Sequence, residues 1–289
     1  MKLIKTNANH ANSDVKNSKL NNKNSTLKRH LRLLTLSVFS IAAVFVLTSC
    51  APSIPKHPIS IGIMQDMVLV EGGSFIMGSD SNTASRAEQP AHDVTVDSFY
   101  ISKYEVTQAL FESVMGGSNS FFSDPNTPVN NLSWQQASYF IERLNELTGE
   151  NYRLPTEAEW EFAAIGGNHS KGFKYSGSDN IADVAWYSEN AKNSAHPVGL
   201  KAPNELGLYD MTGNVGEFVV DQFDERFYQV SPQHNPNNAK HSDINLMHKA
   251  TRGGSFAYDE NESENFRRDF ASQSILMSDL GLRLAKDAK

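Results

Sequence analysis

RLPTEAEWEFAAIGG, Arg153 to Gly167, specifies a helix from end to end. Pro155 blocks a helix before it, and Thr156 offers a hydroxyl to the unpaired amides of the first turn. Glu159, three residues on, can return the bond to the Thr156 amide. Gly166-Gly167 supply the stop, so the spacing predicts a helix from Thr156 to the glycine pair.

Upstream the same logic recurs. Ser133 and Gln136 form a second capping pair, and Ala137, Phe140, Ile141, Leu144 and Leu147 follow at the spacing of one helical face, with Gly149 as terminator. A further helix is expected from Thr107 to Val114, ending at Gly116-Gly117. MVLVEGGSFIMGSD, residues 67–80, reads as two short strands around a Gly72-Gly73 turn, a hairpin. HDVTVDSFYISKYEVT, residues 92–107, alternates, with Val94, Val96 and Phe99 as inward positions. Beyond residue 167 periodicity fades, yet aromatics persist (Phe173, Tyr175, Trp186, Tyr187, Tyr209, Phe218, Phe256). Aromatic burial in a tail rich in Gly, Asn and Asp indicates ordered, loop-rich structure rather than disorder.

The formal charge of -7 over 289 residues hides an asymmetry. Residues 1–49 hold eight Lys/Arg against Asp14 alone, leaving 18 basic and 32 acidic residues in the remainder. So acidic a body repels phosphate backbones and argues against nucleic acid as a partner. Lys28, Arg29 and Arg32 precede the 15-residue apolar run Leu33–Leu47, which ends in Leu47-Thr48-Ser49-Cys50. A basic start, a short apolar core and small residues before the cut describe a secretory signal at 1–49. The alternative is an uncleaved anchor helix, although the run is shorter than the roughly 20 residues a span needs. Leu-Thr-Ser-Cys resembles a bacterial lipobox, which makes Cys50 the lipidated first residue and 50–66 a tether. Ala51 after it favours the outer membrane, facing the periplasm. Cys50 is the sole cysteine, so no internal disulfide and no Cys-based zinc site exists.

Five blocks, MVLVEGGSFIMGSD, PVNNLSWQQASYFIERLNELTGENYRLPTEAEWEFAAIGG, PNELGLYDMTGNVGEF, RGGSF and LGLRLA, resemble in order the signature blocks of the formylglycine-generating-enzyme (sulfatase-modifying factor) domain, over 67–286. The resemblance implies one loop-rich α+β domain related to the C-type lectin fold. It implies calcium at Asn214, Val215 and Glu217, and more weakly at Asn190 and Ala191, where carboxamides, carbonyls and a carboxylate suit a hard cation. It also implies a cleft near Ser255, Arg267 and Arg268. There the two arginines either grip a peptide carboxylate or backbone in two-pronged fashion, or form a surface pair neutralised by Glu262 and Glu264.

Two departures from the family pattern bear on chemistry. The family's oxidation uses copper(I) on two thiolates, and counting back from Gly281-Leu282-Arg283 puts Glu260 and Asn265 at those cysteine positions. Copper(I) prefers soft sulfur, so no copper and no formylglycine generation are expected. In GNVGEF, Gly216 and Phe218 replace two tryptophans, removing packing beside the cleft. His234, His241 and His248 recur at sevens in a polar segment and read as a solvated loop, with a three-imidazole metal site as the alternative. The leading expectation is a lipid-anchored binding or assembly module with an envelope protein or peptide partner. The alternatives are a redox enzyme with cysteine-independent chemistry, of the siderophore-maturation kind, and last a sulfatase-activating oxidase.

Overall fold

A computed structural model describes residues 57–239 and 248–288. In chain order they form α1 (Pro58–Gln65), β1 (Met67–Val70), β2 (Gly73–Met77), β3 (His92–Val96), β4 (Phe99–Ser102), α2 (Gln108–Met115), α3 (Trp134–Thr148), α4 (Glu157–Ala164), α5 (Ile181–Val184), β5 (Gly216–Gln222), β6 (His248–Arg252), β7 (Asp269–Ser272), β8 (Leu280–Leu282) and β9 (Ala285–Asp287). Short 3-10 turns and loops make up the rest, and the described residues beyond 167 are as loop-rich as the fading periodicity predicts. No helix among the described residues is long and apolar enough to cross a membrane.

The capping residues act as expected. Ser133 Oγ accepts the Gln136 amide at 3.2 Å while Gln136 Oε1 accepts the Ser133 amide at 2.9 Å. Thr156 and Glu159 do the same at 3.1 and 2.8 Å. Gly149 ends α3 in the left-handed region. Ala137, Phe140, Ile141 and Leu144 are buried, but Leu147 is 38% exposed, so the apolar stripe stops one turn early. α4 is unlike an amphipathic surface helix: seven of its eight residues are buried, including Glu157 and Glu161. It is the axis on which the core is assembled. Trp160, Phe162, Ala163 and Ala164 pack there with Val94, Val96, Phe99 and Ile101, the inward positions of β3 and β4. A second core joins α2 and α3 to Phe218, Leu280, Leu282 and Leu284.

The predicted β1–β2 hairpin does not form. β1 pairs with β4 and β2 with β3, both antiparallel, and the register runs unbroken across both: Val70 faces Phe99, and three residues along each chain Gly73 faces Val96. β1 and β2 are therefore collinear, and the reversal lies in residues 78–91. Neither Gly72 nor Gly73 has positive φ. Their role is close approach: a Cβ on Gly72 would lie 2.7 Å from the Val96 carbonyl oxygen and 2.8 Å from the Ser98 amide nitrogen. β9 extends the first sheet beside β4. The remaining strands form a four-stranded sheet in the order β7-β6-β5-β8, in which β5 and β8 run parallel.

Part of the stretch expected to be a tether, 50–66, is structured. Residues 58–65 are helical, and Ile63 is 6% exposed within the second core, so the domain begins with α1. Pro58 at the first helical position starts a helix rather than preventing one. Cys50 and the apolar run before it lie outside the described residues.

Because the atoms facing Gly72 are backbone and cannot swing away, Gly72→Ala is expected to destabilise the domain by about 1–3 kcal/mol. Gly117, with open space around it and no positive φ, is the control: Gly117→Ala is expected to leave the thermal midpoint nearly unchanged. Equal midpoints for the two variants would contradict the collinear reading.

Candidate functional site

One end of the four-stranded sheet carries the start of β5 at Gly216, the end of β6 at Arg252, the start of β7 at Asp269 and the start of β8 at Leu280. With the Gly253-Gly254-Ser255 turn these ends enclose a cleft of about 400 Å3. Gly216, Ser255, Tyr258, Glu262, Asp269 and Asp279 all line it. Two carboxylates are held by hydroxyls: Ser255 Oγ donates to Asp279 Oδ2 at 3.1 Å, and the Tyr258 hydroxyl donates to Asp269 Oδ2 at 2.5 Å. Burial, together with that acceptor, pushes the Tyr258 phenol above its usual range.

Three arginines stand in the wall, and all three are engaged from behind. Arg268 was expected either to grip a ligand or to lie in a surface pair, but its side chain is fully buried. It forks onto Glu157 at 2.6 and 2.8 Å and donates to the Ala87 carbonyl at 2.6 Å. Arg267 donates to the carbonyls of Thr83 and Asn261 and pairs with Glu88 at 3.3 Å and Glu264 at 3.0 Å. Glu264 does neutralise Arg267 as foreseen; Glu262 does not join it. Arg252 pairs with Glu161 and lies 3.4 Å from Glu157. Glu88 is used up as well, accepting the Ser85 and Arg268 amides at 2.6 and 3.2 Å. What remains toward the cleft is acidic: among the described residues, Glu262, Asp269 and Asp279 have no cationic partner within salt-bridge distance.

Behind the wall lies a buried ion network. Burial pushes the Glu157 carboxyl up, but the adjacent Arg268 and Arg252 guanidiniums outweigh it and hold Glu157 below the usual carboxylate range. Glu161 has the weaker set of partners, and burial leaves it raised. Asp221 accepts the Glu157 amide at 2.8 Å and the Asn238 amide at 2.6 Å. Burial, with Glu157 nearby, pushes it up to about 7. None of this was read from the sequence. The one local hint was Glu157 and Glu161 one turn apart inside a helix whose other residues, the capping Glu159 apart, belong to the core.

This architecture, and the blocks that build it, match a known family. Residues 60–288 match the family model described as the sulfatase-modifying factor enzyme 1-like domain. The chain belongs to this family. A relative, the chaperone protein LppX of Paenibacillus barcinonensis, is 36% identical over 230 residues, covering 62% of this chain and 77% of its own. Among solved structures, Treponema denticola variable protein 1 is 27% identical with a TM-score of 0.66, over 77% of this chain and 95% of that one. PvdO from Pseudomonas aeruginosa is 26% identical with a TM-score of 0.65, over 77% and 94%. The fold is thus a mixed helix-and-sheet domain of the formylglycine-generating-enzyme type, consistent with the C-type lectin-like class.

Within this family domain, the residues inferred from the resemblance do not all converge. Gly216 lines the cleft, but a Cβ there would lie 2.7 Å from Leu280 Cδ2 and 3.2 Å from the Gly254 carbonyl oxygen. Leu280 fills the room a large side chain would need, so replacing tryptophan leaves no hole. Phe218 is fully buried in the second core and does not face the cleft. Glu260 is exposed at the start of a 3-10 turn, whereas Asn265 is buried, its Nδ2 donating to the Phe173 carbonyl at 3.1 Å. Neither lines the cleft.

The calcium sets are likewise occupied by internal bonds. Arg283 grips both Glu217 oxygens at 2.7–3.0 Å and Trp160 Nε1 donates to Oε2 at 2.7 Å. Asn214 Nδ2 and the Val215 amide both donate to Glu105, and Asn214 Oδ1 accepts the His196 amide. Asn190 Oδ1 accepts the Tyr187 amide, and the Ala191 carbonyl meets the His196 ring. A hard cation needs several free oxygens, and these side chains do not offer them. His234 pairs with Asp97 at 3.2 Å, His248 packs edge-on to Phe270, and His241 lies outside the described residues. No group of three or more His, Cys, Asp or Glu suited to a metal occurs among the described residues.

Asp221 gives the site a pH signature. Its folded value, about 7, lies above the ordinary 3.8, so the native state keeps a proton that the unfolded chain releases. That contribution is full below about pH 4 and is lost as pH rises toward about 7, on the order of 2–4 kcal/mol. Asp221→Asn removes one amide acceptor and is expected to destabilise by about 1–3 kcal/mol at pH 5. The gap to wild type should narrow or reverse by pH 8 in urea melts. A gap independent of pH would contradict the assignment.

Proposed function

We propose that this is an exported lipoprotein whose sulfatase-modifying-factor domain is a non-catalytic binding or assembly module of the cell envelope, using the cleft to hold a protein or peptide partner. One observation carries the reading: a formed cleft without the means for the family's oxidation. No cysteine follows Cys50, so no thiolate pair can hold copper(I). The wall arginines are bound internally and cannot serve as a substrate clamp. The relative named a chaperone, 36% identical, supports a role in handling another protein. The signal-like segment and Leu47-Thr48-Ser49-Cys50 support membrane anchoring through Cys50, with Ala51 favouring the outer membrane.

A second reading, a redox enzyme with cysteine-independent chemistry, draws on the Tyr258–Asp269 pair and on the structural likeness to PvdO. Metal analysis of the purified full chain separates the two. After exhaustive dialysis, iron and copper are expected far below equimolar, and added calcium should leave the thermal midpoint unmoved. Equimolar iron or copper would sink the module reading. For the anchor, Cys50→Ala is expected to abolish labelling by radioactive palmitate and shift the protein from the membrane to the soluble fraction. Unchanged labelling and fractionation would refute lipidation at Cys50.

A further inference from the structure

A second cleft, of about 300 Å3, shares no lining residue with the one at the sheet end. It lies between the end of α2, the loops at 117–119 and 129–132, and the first turn of α3. Its floor is apolar, for Phe111, Val129 and Leu132 belong to the second core and are at most 6% exposed. Its rim is polar and neutral, made of hydroxyl and carboxamide side chains from Ser118, Asn119, Asn130, Asn131 and Gln136. No acidic residue, basic residue or histidine lines it, although the body of the chain is rich in charge.

The rim is braced in place. Asn130 is buried, and its Oδ1 accepts the Phe121 amide at 2.8 Å while its Nδ2 donates to the Pro128 carbonyl at 3.1 Å. Asn131 Nδ2 donates to the Asn119 carbonyl at 2.8 Å, so residues 119–121 are tied to 130–131. Those bonds use one end of each amide. The Asn131 oxygen is left over, as is the Gln136 nitrogen, since Gln136 spends its oxygen on the Ser133 amide at 2.9 Å. Phe121, whose amide is held by this rim, is 71% exposed, yet its ring packs edge-on against Phe122 at 5.1 Å.

This composition selects a ligand by exclusion. A charged group entering the cleft would shed water and meet no counter-charge. A purely apolar group would strip water from the amides and return no hydrogen bond. What fits is a neutral molecule with an apolar face and an edge that both donates and accepts. A pyranose ring has that form: its C–H face suits Phe111, Val129 and Leu132, and its hydroxyls pair with carboxamides in either direction. We propose that this cleft binds one unit of a neutral oligosaccharide. The site is separate from the sheet-end cleft and does not depend on what that cleft holds.

The test is isothermal titration calorimetry of the purified full chain in a detergent without a sugar headgroup. The probes are neutral hexamers of N-acetylglucosamine and of glucose, with the cationic hexamer of glucosamine as comparison. At least one neutral hexamer is expected to bind, and the cationic one about tenfold more weakly or worse. Gln136→Glu keeps an oxygen on the Ser133 amide, so the cap of α3 and the thermal midpoint are retained. It replaces the spare donor by a charged acceptor, and is expected to weaken the neutral hexamer by about tenfold. Asn119→Ala, at an exposed position, should weaken it a few-fold. Asp269→Asn with Asp279→Asn, in the other cleft, should leave it unchanged. No binding of either neutral hexamer, equal affinity for the cationic one, or full affinity in Gln136→Glu would overturn the proposal. So would loss of sugar binding in the double Asp variant, which would move the sugar to the sheet end. A neutral peptide alternating Asn and Thr that binds more tightly than both neutral hexamers would make this a peptide site and overturn it as well.

Discussion

Four buried charges hold this domain together: Glu157 and Glu161 on α4, Arg252 at the end of β6, and Arg268 at the entry to β7. All four side chains are at most 3% exposed. Charges taken out of water are tolerated only when paired and fully hydrogen-bonded, and removing one partner typically costs about 3–5 kcal/mol because its mate is left uncompensated. The remaining bonds of the set run to backbone. The Gly78 amide donates to Glu161 at 2.8 Å, and Arg268 reaches the Ala87 carbonyl. One polar cluster thereby ties the 78–91 connector, the central helix and two strands of the large sheet. A second, in which Arg283 and Trp160 share Glu217, joins the same helix to the start of β5 and the end of β8. A chain with so little regular structure in its second half needs such anchors, since its loops have few ladders to satisfy their polar groups.

The same interactions determine the character of the cleft. Arg252, Arg267 and Arg268 all border it, and had they been free it would be an anion site. Each is instead drawn inward by a glutamate, and the carboxylates that remain outward set its sign. The charge of a cleft is therefore not the sum of its lining residues. It depends on which of them are already neutralised from behind, and here the deeper layer removes the positive contributions and leaves the negative ones.

What could be read from the sequence was local. The caps of α3 and α4, the inward Val94, Val96 and Phe99, and the loop-rich second half depend on neighbours a few residues away, and all are present. The Gly72-Gly73 reading failed because a glycine pair looks alike whether it reverses a chain or lets two backbones approach closely. α1 was hidden because three prolines in 51–58 resemble a tether, although the third simply begins a helix. The site was the least legible part. Arg268 meets Glu157 across 111 residues and Arg252 meets Glu161 across 91. No periodicity encodes pairings of that range. An arginine doublet in a polar stretch accordingly read as a ligand grip or a surface pair, when the side chain of one of the two is fully buried.

The cleft keeps its form without a side chain at Gly216, and the packing gives a reason. Gly216 has no side chain, yet Leu280 occupies the adjacent space and the Gly254 carbonyl closes over it. The floor is stiffened by the ion network, and Asp269 and Asp279 are held in orientation by Tyr258 and Ser255 before any ligand arrives. A preformed arrangement loses little freedom on binding, so it favours recognition whether or not a reaction follows. Here the acidic, hydroxyl-braced surface presents acceptors whose orientation is fixed by the fold rather than by the group that meets them.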